Sequence, residues 1–506
     1  MSTSSTHPRT EPEVDTRAGR VRGSWRTDRD GNRSAAFLGI PFAEPPVSDL
    51  RFAAPVPHRP WSGVRPATEF GATAQRGDAG VTLIPEPSIP GESTLNVNVF
   101  TPAPTTGAAL PVLVYIHGGG FFAGSPASPW YDGAQFNRDG IVTVSISYRL
   151  GFDGFGWIAD APHNRGVLDW LLALEWVQEN IGAFGGDPGR VTLVGQSAGG
   201  GAVLTLLGMP RAQGLFHAAF SISGATADLS LARAEAHGRS VASAGGVEPT
   251  RAGLASLTEA EILDLQMKAM KSAVRGNPLS LLKKFLDDGL PLAPVVDGDL
   301  IPRGALDAIR AGIGADKPLV LGATDDEFAI LLHRIKGMLR FVPANLLLGL
   351  AGLTGHRRAA YLAANDDVRR RGTAAILGRY ITDRFFRVFA LEVAESRADA
   401  PTCLYRFAWR SPRFESAVHC LDVPFFFDCL NATGVEEVAG DAPPQALADD
   451  LHARAVAFVQ HGDPGWPRFT PTEPRTHIFD THSRTDRDGY AGVRPLLDAR
   501  PPHGPR

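Results

Sequence analysis

Cysteine is scarce in this chain. Only Cys403, Cys420 and Cys429 occur among 506 residues. So odd and sparse a set is no disulfide framework, and a reducing, cytoplasmic setting is expected. Each cysteine reads first as a small buried side chain. Long apolar runs are missing as well. No stretch reaches the roughly eighteen uninterrupted apolar residues of a membrane span, so no membrane partner is expected. The first residues, "MSTSSTHPRTEPEVDTRAG", lack the apolar segment of a secretion signal. The net charge is −4, which gives neither the basic footprint of a nucleic-acid binder nor a polybasic membrane signal. There is no H-E-x-x-H pattern, no cluster of Cys and His, and no lysine in the glycine runs to make a P-loop. No metal and no cofactor are therefore expected. Internal repeats are also absent.

What remains is an ordinary globular composition, 43% hydrophobic and 21% charged. Residues 1–15 and 499–506 are polar or proline-rich and are expected to be disordered tails. Between them, 16–498 reads as a single domain. "LPVLVYIH" (110–117), "IVTVSISY" (141–148), "VTLVG" (191–195), "AAFSIS" (218–223), "PLVLG" (318–322) and "CLYRFA" (403–408) are short runs rich in Val, Ile and Leu. Such runs suit strands buried on both faces of a parallel sheet. Residues 166–181 carry apolar side chains at 167, 171, 174, 177 and 181, one helical stripe, with Asp169, Glu175 and Glu179 among the polar positions. Strands joined by helical crossovers predict an α/β fold with a mostly parallel central sheet and helices on both faces. Residues 226–290 and 333–398 are helix-rich and predict helical insertions or caps. Their Leu281, Leu282, Phe285, Met338, Phe341 and Leu347 are candidates for lining an apolar pocket or for ordinary packing.

Glycine is where the sequence becomes specific. "VGQSAGGGA" (194–202) places four glycines and Ser197 where a strand pattern gives way to a helix pattern. Gly195-Gln196-Ser197-Ala198-Gly199 fits G-x-S-x-G. Between a strand and a helix this pattern marks a sharp turn that exposes a nucleophilic serine. The N–H groups that open the new helix then point toward the space an oxyanion fills. A second glycine cluster, "YIHGGGFFAG" (115–124), follows an earlier strand and is similar to the H-G-G-G loop that lends a further N–H.

With these motifs the chain resembles the type-B carboxylesterase family, which includes para-nitrobenzyl esterases and cholinesterases. "FLGIPFAEPPVSDLRFAAPVPHRPWSGVRPATEFG" (37–71), "GESTLNVNVFTP" (91–102), "LDWLLALEWVQENIGAFGGDPGRVTLVGQSAGG" (168–200) and "GDPGWPRF" (462–469) carry the resemblance across most of the sequence. It implies an α/β-hydrolase fold. It assigns Ser197 as nucleophile and the N–H groups of Gly119, Gly120 and Ala198 as the oxyanion hole. "LGATDDEF" (321–328) is similar to the family segment that supplies the acid, which points to Glu327, with Asp326 as competitor. The residue-level reading of Asp325, Asp326 and Glu327 is only a solvated acidic loop. "AVHCLDVPFFF" (417–427) is similar to the segment that supplies the base, which points to His419.

The departures from the family pattern bear on the same residues. Gln196 stands where a glutamate is usual and removes a negative charge near His419. Asp422 replaces a glutamate three positions after the histidine. Thr94 replaces a cysteine, so the family's N-terminal disulfide cannot form. Phe328 replaces a glycine after the acid. No tryptophan lies in 71–94, which disfavours choline esters. The resemblance thus implies a serine carboxylesterase acting on small to medium hydrophobic esters as its small-molecule partner. An amidase, carbamate hydrolase or lactonase on the same triad is the alternative, and a non-catalytic interaction module a more distant one.

Overall fold

The computed structural model describes residues 11–27, 30–74, 83–225, 228–273, 289–333 and 335–499. Eleven strands form its main sheet: β1 (Ser24–Thr27), β2 (Arg33–Pro41), β3 (Asn96–Thr101), β4 (Leu110–Ile116), β5 (Val142–Ile146), β6 (Gly186–Gln196), β7 (Ala218–Ile222), β8 (Leu319–Thr324), β9 (Thr402–Phe407), β10 (Arg475–Phe479) and β11 (Arg484–Arg487). Their spatial order is β11-β10-β9-β8-β7-β6-β4-β5-β3-β2-β1. The seven strands from β5 across to β10 run parallel. Antiparallel strands close both edges.

The apolar runs become strands because both faces of the sheet are covered. Successive side chains of a strand point to opposite faces, and here each face has its own core. Val112, Val114 and Ile116 join Leu193, Ala219, Leu319 and Leu404 on one side. Leu113 and Tyr115 join Val194, Phe220, Val320 and Tyr405 on the other. Helices Arg165–Asn180 and Ala198–Leu207 pack into the first core, and helix Gln445–His461 into the second.

Strand order also locates a crevice. The chain steps from β4 to β5 toward one edge, then from β6 through β7 and β8 toward the other. The direction reverses between β4 and β6, and in open α/β sheets the cleft opens at the carboxyl ends of such neighbours. Ile116 pairs with Gly195, and Ile222 with Gln196, so the ends of β4, β6 and β7 lie level.

Four expectations need correction or bounding. Structure begins inside the expected tail: Glu13–Asp15 is a strand paired with Arg20–Arg22, because its alternation lets Val14 sink while its acids face solvent. At the other end a 3-10 turn runs through Ala499. Asp169, one of the polar positions of its helix, does not face solvent. It is fully buried and grips Arg149 through two side-chain bonds of 2.9 and 2.7 Å, and Arg149 N–H donates to it as well. The third bond arm of Arg149 reaches the Ala53 carbonyl at 2.7 Å and ties in the N-terminal segment.

Among the candidate pocket residues, Met338 and Phe341 are 66% and 75% exposed, so they line nothing. Met338 lies on the short helix Lys336–Leu339, which buries no residue, and Phe341 just beyond it, whereas the next helix, Ala344–Leu350, buries Leu347 and Leu348. Leu347 is core packing. Leu281, Leu282 and Phe285 lie outside the described residues.

A buried pair that loses one partner leaves an uncompensated charge, which costs about 3–5 kcal/mol. Asp169→Asn is expected to lower the unfolding free energy by that amount, read from the urea midpoint at constant slope. A loss below about 1 kcal/mol would show that Arg149 needs no anion there.

Candidate active site

Ser197 follows β6 and precedes helix Ala198–Leu207, with φ 58° and ψ −121°. A non-glycine residue in this region is strained and persists only where its surroundings over-determine it. Here its N–H donates to the Ile222 carbonyl of the neighbouring strand at 2.9 Å, and its own carbonyl accepts from Gly201 at 2.9 Å. Both ends of the turn are thereby fixed. The turn also requires close backbone approach. A Cβ on Gly199 would lie 2.0 Å from the Ile116 carbonyl oxygen, so no larger residue fits. As the first helical residue, Ala198 has an N–H with no acceptor inside the helix.

The glycine loop after β4 lies directly alongside. A Cβ on Gly118 would meet the Gln196 carbonyl oxygen at 2.7 Å and Ser197 Cβ at 3.1 Å. Gly119 has φ 111°, and its carbonyl accepts from Phe122 and Ala123. Among the described residues, the N–H groups of Gly119 and Gly120 donate to no protein acceptor. Three backbone donors from two strand ends are thus left for a ligand.

The three adjacent carboxylates divide sharply. All are buried, so the loop is not a solvated acidic one. Asp325 forms a fork with Arg406 at 2.8 and 2.6 Å and faces Arg379 at 3.4 Å. Burial opposes its ionisation, but these two guanidinium groups hold its carboxyl far below the usual range. Asp326 faces Arg371 and Arg379 at 3.2 and 3.3 Å. Only Glu327 turns to the histidine: Oε2 accepts from His419 Nδ1, while Oε1 accepts from the Thr324 N–H at 2.8 Å. A backbone bond from His419 N–H to the Glu327 carbonyl, 2.9 Å, holds the two loops together.

Burial works against a charged His419. The neighbouring Cys420 and Glu327 favour it, and its pKa lies well above the ordinary imidazole value. Burial also pushes the Cys420 thiol up, so that thiol stays protonated near neutrality and the Glu327 carboxylate is the charge that matters. The other ring nitrogen, Nε2, meets Gln196 Nε2 at 3.2 Å. Among the described residues, the half-exposed Ser197 hydroxyl makes no hydrogen bond. The structure therefore joins His419 to Glu327 and to Gln196, and leaves Ser197 unengaged beside them.

Asp422 is buried behind this group. Its Oδ2 accepts from the Tyr405 hydroxyl at 3.0 Å, while Oδ1 has no partner. Burial first, then the charge of Glu327, raise its pKa to about 7.

Three side chains of the site were not anticipated from the sequence. Phe385 and Phe386 lie in a π-helical turn, Asp383–Arg387. Their ring centroids are 5.7 and 5.3 Å from that of Phe328, and Phe386 is 5.2 Å from His419. Consecutive residues of an α-helix do not share a face, but a π turn widens the spiral and is often found at functional sites. A Phe-Phe pair inside a helical pattern was the available signal. Phe328 itself is accommodated 5.7 Å from the His419 ring. The third is Cys420, read from the sequence only as filler, whose Sγ accepts from Gln196 at 3.1 Å. Among the described residues, Cys403, Cys420 and Cys429 form no disulfide.

With this geometry in place, comparison with known proteins is decisive. Residues 10–488 match the model of the Carboxylesterase family. The chain belongs to the carboxylesterase family. It is 32% identical to the para-nitrobenzyl esterase of Bacillus subtilis, over 96% of this chain and 98% of that one. It is 33% identical to the phenmedipham hydrolase of Pseudarthrobacter oxydans, over 89% and 93%. Among solved structures, a carboxylesterase of Geobacillus stearothermophilus superposes with a TM-score of 0.81 at 31% identity, over 95% of this chain and 99% of the other. The sheet described above is that of the α/β-hydrolase fold, and the protein is a carboxylic ester hydrolase. Among its described residues no helix is long and apolar enough to cross a membrane, and no group of three or more His, Cys, Asp or Glu is placed to hold a metal ion.

Asp422 gives the carboxylesterase a testable pH dependence. The unfolded carboxyl releases its proton near pH 3.8, whereas the folded one keeps it to about 7. The folded state binds the extra proton, so this group's share of stability falls as pH rises through that window, by at most roughly 1.4 kcal/mol per unit. Asp422→Asn removes the dependence. Its melting temperature relative to the native protein is expected to rise from pH 4.5 to about pH 7 and then to level off. A constant difference across that range would refute the assignment.

Proposed function

We propose that this carboxylesterase hydrolyses small to medium hydrophobic esters through an acyl-enzyme on Ser197, with His419 as base and Glu327 as the acid that orients it. The observation carrying this reading is the Glu327–His419 contact beside a strained serine at the level ends of β4, β6 and β7. A serine hydroxyl is a poor nucleophile until its proton has an acceptor. Glu327 on Nδ1 leaves the lone pair of His419 on Nε2, the nitrogen beside Gln196, the residue that precedes Ser197. As the hydroxyl attacks the ester carbonyl, its proton passes to Nε2 and the carbonyl electrons move to oxygen.

The N–H groups of Gly119, Gly120 and Ala198 receive that oxyanion. One such donor is worth roughly 3 kcal/mol in the transition state. The alkoxide leaves with the proton from His419. Water then gives a proton to His419 as it attacks the acyl carbonyl; the bond to Ser197 breaks, and His419 returns the proton to the Ser197 oxygen as the acid leaves. Glu327 orients the ring and stabilises the imidazolium. The rings of Phe328, Phe385 and Phe386 make an apolar wall beside the reacting centre, which supports a hydrophobic acyl or alcohol group. A set of three cysteines, too few and odd in number for a disulfide framework, supports a reducing, cytoplasmic setting.

Native protein is expected to turn over short-chain p-nitrophenyl esters without added metal, with a burst of one p-nitrophenol per chain. Ser197→Ala is expected to lower kcat by on the order of 10⁶-fold. Turnover within tenfold of native in that variant would sink the reading. The pH profile supplies a second check. Only neutral His419 is a base, and its pKa lies above the ordinary 6.5, so kcat/KM is expected to rise with pH along a limb centred above 6.5. Glu327→Gln removes the charge that raises this value, and the limb is expected to move to lower pH as the rate falls. A limb that stays in place would contradict the role given to Glu327.

A further inference from the structure

The side chain before the serine has a part that the triad does not account for. Gln196 is 1% exposed, and its carboxamide is held on three sides. A Cβ on Gly118 would lie 2.8 Å from its Oε1, so the glycine there makes room for it. Its Nε2 stands 3.2 Å from His419 Nε2 and 3.1 Å from Cys420 Sγ. An amide nitrogen carries two hydrogens and no lone pair to share. With Nδ1–H of His419 committed to Glu327, Nε2 of the neutral ring is an acceptor, and the amide N–H is the donor that fills it. That lone pair is the one the Ser197 proton needs, and the Ser197 hydroxyl is correspondingly unbonded.

We propose that Gln196 is a positioning residue that caps the basic nitrogen of His419 in the resting enzyme, so that the Ser197–His419 contact forms only when bound substrate displaces the amide. The inference rests on the triad assigned under the proposed function. It follows from the neutrality of the side chain. A donor to the free nitrogen stabilises neutral imidazole and lowers its affinity for a proton. A carboxylate in the same place has no hydrogen to give and would instead favour the imidazolium.

The other groups facing the ring are Glu327 on Nδ1, the Cys420 thiol, and the rings of Phe328 and Phe386, with Asp422 and Tyr405 behind. Of these, only Cys420 also touches Gln196, so both variants withdraw a donor from its Sγ as well; the others keep their own partners. After displacement the amide keeps its bond to Cys420 Sγ, so the exchange costs it one partner and not both.

Gln196→Met keeps the length and removes the donor; Gln196→Glu replaces it with an anion. The acidic limb of kcat/KM for a p-nitrophenyl ester is expected to move upward in the order native, Gln196→Met, Gln196→Glu. The first step is roughly 0.5–1 pH unit, the equivalent of one hydrogen bond. In the absence of substrate, Ser197 of Gln196→Met is expected to react at least about threefold faster than native with phenylmethylsulfonyl fluoride at a pH above both limbs, because its base is no longer capped. Melting temperatures of the two variants report whether the fold is kept, and either folded variant suffices. An unmoved limb together with an unchanged inactivation rate overturns the inference. If Ser197→Ala is inactive while these values stay fixed, only the role of Gln196 falls. If Ser197→Ala retains turnover, it is the triad itself that falls.

Discussion

Everything at the crevice depends on one close backbone contact. The ends of β4 and β6 are adjacent because strand order reverses between them, and Gly199 then passes so near the Ile116 carbonyl that no Cβ could stand between them. The turn at Ser197 is strained, but it is tied to Ile222 on one flank and to Gly201 on the other. A rigid sheet with a core on each face supplies the stiffness that lets such a turn persist. Opening that contact by one methyl group would push the serine turn away from the glycine loop that follows β4.

Around that contact the protein buries more acid than an apolar interior tolerates without partners. It solves the problem differently at each position. Asp169 and Asp325 each hold a fork of arginine donors, and Asp326 is shared between two arginines. Glu327 is left with no arginine and takes the histidine instead. Asp422 has only a tyrosine hydroxyl, and its carboxyl is pushed up to about 7. The arginines therefore do more than neutralise a loop. By occupying Asp325 and Asp326 they leave one carboxylate of three for His419, which is the distinction the proposed triad acid needs from its neighbours.

Much of this was legible in the sequence. The apolar runs over 110–117, 141–148, 191–195, 218–223, 318–322 and 403–408 are the strands, since a strand buried on both faces has no polar alternation to conceal it. The glycine pattern around Ser197 announced a strand-to-helix turn. Less was legible where a side chain's surroundings come from distant segments. Asp169 read only as one of the polar positions of its helix, because helical periodicity knows nothing of Arg149, twenty residues earlier. Met338 and Phe341 looked like pocket residues because apolar character alone does not say which way a short outer turn faces. Phe385 and Phe386 joined the site through a π turn, a local change of pitch that no 3.6-residue pattern records.

The sequence by itself determined which residue types carry the chemistry and where the backbone must turn. Those are local matters of strand propensity, glycine spacing and the order of motifs along the chain. Only the tertiary structure decided which of three neighbouring carboxylates meets the histidine. That choice is made by Arg371, Arg379 and Arg406, which arrive from other elements. It also decided what became of the neutral residue before the serine. Nothing in "GQSAG" says that the Gln196 amide reaches His419. The meeting arises because the histidine loop folds back over the end of β6, and a hydrogen bond between residues 223 positions apart is a property of the fold.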